Sequence, residues 1–180
     1  MTHLAYQPRG ESVELEADDV VVGSGAGGAT AAAALAHGGK RVAVVEAGPW
    51  RDPGDYPSSV YGAMRDTLDS WGSTFTRGRA AWPIVQGTLV GGSTVINSAI
   101  YVPTPGDVIE RWEREHGFAD GEALLAAGDQ VAREIGTELV PEPSRGRNNV
   151  YFGRGADGIG IDNHVIRRYT RGCDGDAQCF

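Results

Sequence analysis

Two short valine-rich runs flank a glycine turn and an alanine-rich stretch: Asp19-Val20-Val21-Val22, then Gly23-Ser24-Gly25-Ala26-Gly27-Gly28, then a run to Ala36, then Val42-Ala43-Val44-Val45. An all-apolar run of this length suits a strand buried on both faces of a parallel sheet. The alanines favour a helix near Ala26–Ala36. Gly38 and Gly39 stand where that helix should end, since glycine takes the left-handed position after a helix without steric cost. The order predicts strand, turn, helix, strand: a parallel βαβ unit.

The turn is a G-x-G-x-x-G, and each glycine in it has a physical task. Gly23 lets the chain leave the strand sharply, Gly25 lets a pyrophosphate approach the backbone, and Gly28 lets the helix pack close to the sheet. Ala32, one turn later, keeps the packing face small. Unpaired amides at the helix start, and the positive end of its dipole, favour an anion there. Glu46 follows the second strand, roughly twenty residues beyond the turn, where an acid accepts the ribose hydroxyls of an adenosine. Its charge would repel a 2′-phosphate. The strand, helix and acid supply the context that this motif requires. They specify a dinucleotide and leave FAD and NAD undistinguished.

The formal net charge of −8 argues against nucleic acid or an anionic membrane as partner. No apolar run is long enough to span a bilayer. The first 19 residues lack a basic start followed by an apolar core, so no signal peptide is expected and the cytoplasm is the expected compartment. Val13, Leu15 and Ala17 alternate with acids, which predicts a short extended lead-in. Prolines and glycines over 48–57 mark a loop, and Ser58 is the expected cap of a helix to about Leu68. Trp71, Phe75 and Trp82 are expected in the core rather than at a cofactor.

A second glycine stretch runs Gly87-Thr88-Leu89-Val90-Gly91-Gly92-Ser93-Thr94-Val95-Ile96-Asn97. Adjacent glycines let backbone lie against a flat group without Cβ clash. Ser93 and Asn97 stand four residues apart, so one helical turn would align them. A plain loop with a capping serine would carry the same residues.

Taken together, the two stretches resemble the N-terminal part of the glucose–methanol–choline (GMC) flavin oxidoreductases. In that family a βαβ unit ending in Glu-Ala-Gly, here Glu46-Ala47-Gly48, holds the adenosine diphosphate of FAD. A later Gly-Gly-Ser-(Ser/Thr)-x-x-Asn loop, here 91–97, lies along the flavin. The resemblance implies FAD over NAD. It implies an α/β, Rossmann-like fold with a parallel sheet, followed by helical segments leading into a substrate domain. The cofactor-binding residues it implies are Gly23, Ser24, Gly25, Ala26, Gly27, Gly28, Glu46, Ala47, Gly91, Gly92, Ser93 and Asn97. Some members attach FAD through a histidine just before the asparagine of the second loop. Ile96 stands there in this chain, so the resemblance implies non-covalent FAD.

The same resemblance implies 1–105 as the N-terminal part of the FAD domain and 106–180 as the start of a truncated substrate region. Helices are expected over 107–116, ended by Gly117, and over 124–135, with a linker-like loop at 141–146. An Asn148-Asn149 pair and a small-residue helix follow, as at the start of the substrate part in some relatives. Cys173 and Cys179 are too few for a thiolate cluster or a zinc site and are expected as unpaired thiols. No metal is expected. The implied activity is oxidation of a CH–OH donor, an alcohol or a sterol-like substrate, with hydride transfer to flavin N5. The catalytic base is expected beyond Phe180, so the chain is expected to need the remaining C-terminal part of the enzyme and to be inactive alone. A non-catalytic nucleotide-binding module and, less well supported by the second glycine stretch, an NAD-linked dehydrogenase are the alternatives.

Overall fold

The structure is a computed structural model, and it describes residues 2–6, 10 and 12–173. The chain divides into two compact units between Asn97 and Ser98. Residues 98–105 group with the second unit, where Ile100 bridges Arg168 and the Tyr101 N–H donates to the Arg167 carbonyl.

The first unit opens with the expected βαβ. Strand β1 (Asp19–Val22) leads through the glycine turn into helix α1 (Ala26–His37) and on to strand β2 (Val42–Val45). The two strands pair in parallel, with Asp19 opposite Val42 and Val22 opposite Val45. The Gly23 N–H extends the ladder to the Val45 carbonyl at 2.7 Å. At the other end Arg41 forks onto Asp18 and holds that carboxyl below its usual range. The helix ends on Gly38, but the left-handed residue is Gly39, at φ +82. The lead-in forms no strand: 12–17 carry no regular structure, and Val13 and Leu15 are exposed.

After β2 the chain passes a single 3-10 turn (Pro53–Asp55) and enters helix α2 (Val60–Thr67). Its cap is Ser59 rather than Ser58: the Ser59 hydroxyl accepts from the Gly62 N–H at 3.1 Å. Pro57 packs where a Cβ on residue 62 would sit, so Gly62 leaves room for the chain entering the helix. Below α2 the Thr88 N–H bonds the Thr67 carbonyl and the Asp69 N–H bonds the Gln86 carbonyl. These bonds seat the second glycine stretch under α2. Between them lies a tight left-handed segment, Ser70, Trp71 and Gly72 at φ 48, 58 and 70, which places Trp71 edge-on to Tyr61. A two-residue antiparallel pair, β3 (Thr74–Phe75) with β4 (Pro83–Ile84), follows. Trp71, Phe75 and Trp82 are exposed, contrary to the expected core role. The core lies elsewhere: Leu89 is the one fully buried large side chain among the described residues.

The second unit contains helix α3 (Gly106–His116) and helix α4 (Gly121–Ile135). Gly117 ends α3 in the left-handed conformation at φ 65, with its N–H on the Glu113 carbonyl, as expected. Ile109 on α3 is buried, and Gly121 at the start of α4 lets it close over Ile109. Strand β5 (Glu138–Leu139) follows α4, and the loop expected at 141–146 holds one 3-10 turn before helix α5 (Arg147–Gly158). Strand β6 (Arg167–Arg168) returns antiparallel to β5. Cys173 is a free thiol 3.6 Å from the Ser144 hydroxyl; Cys179 lies outside the described residues.

Candidate functional site

The site is built on the N-terminus of α1. Gly23 adopts φ +89, a conformation that any side chain would strain. Gly25 caps α1 with extended backbone and brings no side chain onto the first amides of the helix. A Cβ on Gly25 or Gly27 would meet no protein atom, whereas a Cβ on Gly28 would run into the Gly23 carbonyl and touch Val21. Gly28 is thus required by the packing of helix on strand. Gly25 and Gly27, with Ala26 between them, leave an uncovered bed at a helix N-terminus. Open backbone amides and the helix dipole fit a diphosphate there.

Glu46 stands at the end of β2, directly beside this turn. Its Oε2 accepts from the Ser24 N–H at 2.7 Å and from the Ser24 hydroxyl at 2.6 Å, and its Oε1 accepts from the Gly48 N–H at 2.9 Å. These bonds, the Ser24 hydroxyl first and the Gly48 amide next, lower the carboxyl below its usual range. The group is therefore a carboxylate at neutral pH, as an acceptor for ribose hydroxyls must be. Ala47 beside it is exposed.

The second glycine stretch folds back onto the first. The Gly91 N–H donates to the Ser24 hydroxyl at 2.8 Å, across 67 residues of sequence. Gly91 and Gly92 are both left-handed, at φ 93 and 55. A Cβ on Gly92 would lie 3.2 Å from the Gly25 Cα, and a Cβ on Gly48 would collide with the backbone of Leu89. The Val90 N–H bonds the Pro49 carbonyl. Leu89, the buried centre of this unit, thus pins the second turn against the loop that follows Glu46. The Ser93 hydroxyl accepts from the Gly87 N–H at 3.0 Å, closing the turn on itself.

One expectation fails here. Ser93 and Asn97 do not share an α-helical turn, because the helical segment is a single 3-10 turn, Gly92–Thr94. A left-handed start and the β-branched pair Val95-Ile96 oppose a longer helix. Asn97 is exposed at the end of the first unit. The pattern of glycines located both turns, but it did not reveal that Ser24 joins them or that Leu89 is the hub. The serine between two motif glycines was the available signal.

A family model for GMC oxidoreductases matches residues 17–180. The chain belongs to the GMC oxidoreductase family. A long-chain-alcohol oxidase of Arabidopsis thaliana is 34% identical over 162 residues, covering 88% of this chain and 21% of that one. An oxygen-dependent choline dehydrogenase of Rhizobium johnstonii is 33% identical over 109 residues, covering 55% and 19%. The chain therefore spans about a fifth of the length of these GMC relatives. Among solved structures, pyridoxine 4-oxidase superposes with a TM-score of 0.64 at 18% identity, covering 87% of this chain and 37% of that one, which places the fold alone. The GMC family uses FAD, and the α/β architecture with its parallel strand pair is that of the family's N-terminal, FAD-binding part. Among the described residues no group of three or more His, Cys, Asp or Glu side chains is placed to hold a metal ion, and no helix is long and apolar enough to cross a membrane.

Proposed function

We propose that this chain binds FAD non-covalently as the N-terminal part of an enzyme that oxidises a CH–OH donor. One observation carries the proposal: the Gly91 amide rests on the Ser24 hydroxyl, so two glycine turns far apart in sequence form one continuous surface. The α1 N-terminus would hold the diphosphate, Glu46 the ribose, and the backbone at 91–93 the flat ring. Ile96, an apolar residue that forms no bond to a flavin carbon, supports non-covalent attachment.

Bound FAD would supply the acceptor for a hydride from the alcohol carbon. The residues of this chain bind and orient; none is assigned to proton transfer. The names of the relatives, a long-chain-alcohol oxidase and a choline dehydrogenase, support an alcohol as donor. We assign residues 106–180 to the start of the substrate region and the protein to the cytoplasm. The test is direct. Full-length protein purified with FAD should carry about one flavin that denaturation releases intact, and a long-chain alcohol should bleach it in the absence of oxygen. Flavin that stays with the unfolded polypeptide would overturn non-covalent binding, and binding of NAD in place of FAD would overturn the cofactor.

A further inference from the structure

We propose that Ser24 is a positioning residue rather than a cofactor contact: its hydroxyl orients Glu46 and ties the Gly91 loop to the diphosphate turn, coupling the two ends of the site. The proposal rests on the functional reading above and assigns one residue a role within it.

The argument is an accounting of hydrogens. A serine hydroxyl has one O–H to donate and two lone pairs to accept. The Gly91 N–H can only donate, so at 2.8 Å the Ser24 oxygen must accept it. The single O–H is then left for Glu46 Oε2, at 2.6 Å. The Ser24 amide is committed to the same oxygen at 2.7 Å. A diphosphate near neutral pH presents acceptors. Ser24 has no donor left for it, unless the bond to Glu46 is broken.

The same accounting limits Glu46. A carboxylate offers about four acceptor positions. Ser24 takes two of them on Oε2 and Gly48 one on Oε1, and the Ala47 amide adds a weaker contact, so the ribose meets a carboxylate already held by its own turn. At the other end, the loop at 91–92 presents only glycine backbone to the first turn. Ser24 is the side chain that anchors it. Removing the hydroxyl takes one donor from Glu46 and the one side-chain tie from Gly91 to the first turn, two effects from one atom.

The experiment is a double-mutant cycle on the purified full-length protein, with ADP and FAD as separate probes. Ser24→Ala should weaken ADP about tenfold, and FAD by more, because only FAD reaches the loop. In a Glu46→Ala background Ser24→Ala should leave ADP unchanged but still weaken FAD. Ser24→Thr keeps the hydroxyl and should bind both probes within about threefold of the wild type. Three results would overturn the proposal: equal ADP losses with and without Glu46, which mark a direct phosphate contact; equal losses of ADP and FAD in Ser24→Ala; or Ser24→Thr as weak as Ser24→Ala. Wild-type protein that binds neither probe would instead refute the functional reading itself.

Discussion

Glu46 carries the most chemistry of any single residue in the described chain. Three donors hold its carboxylate in place before any ligand arrives. Losing one charge-assisted hydrogen bond to the ribose should cost about 1.5–3 kcal/mol of FAD binding, so Glu46→Ala should weaken FAD by tenfold or more in a calorimetric titration. The same bonds link stability to pH. A carboxyl whose folded pKa is depressed contributes stability that is present above its unfolded value and lost as pH falls through the folded value. Glu46 therefore stabilises the fold at neutral pH and stops doing so on acidification. Ser24→Ala removes the largest cause of the depression, so wild type should be the more stable at neutral pH and the gap should narrow in acid. Thermal melts at both pH values check this; a gap that widens in acid would contradict it.

At the scale of the element, the βαβ unit was legible because its causes are local. Val20–Val22, the three glycines and the alanines each act on neighbouring backbone, and β1, α1 and β2 fall where they point. The parallel pairing followed from the helix between the strands. The second glycine stretch was legible only as a turn. Its shape depends on Leu89, Gly48 and Ser24, which act across tens of residues and leave no periodic trace. Trp71, Phe75 and Trp82 misled for the same reason: composition says apolar, but nothing in this unit covers them. Packing also revises what glycine substitutions should do. Because the residue 92 Cβ position lies 3.2 Å from the Gly25 Cα, Gly92→Val should press on the diphosphate turn as well as the ring position and weaken ADP along with FAD. Gly28→Ala, whose Cβ would strike the Gly23 carbonyl, should destabilise the fold by about 1–3 kcal/mol in a denaturant titration, whereas Gly27→Ala should be mild.

At the scale of the molecule, the sheet face carrying Val20, Val22 and Val45 is bare, at 63%, 83% and 56% exposure. Parallel strands are ordinarily buried on both faces. Together with the span of about a fifth of the GMC relatives, this leads to the prediction that the 180-residue polypeptide alone oxidises no alcohol, even with FAD supplied. Substrate-dependent flavin reduction by that polypeptide would refute it. The central claim is that the turns at 23–28 and 91–97 bind one cofactor together. Hydrogen–deuterium exchange on the full-length protein, with and without FAD, tests it most directly. FAD should slow exchange at the amides of both turns and at Gly48, with no second FAD needed to protect the later turn. Protection confined to 23–28, with 91–97 exchanging as in the free protein, would contradict it.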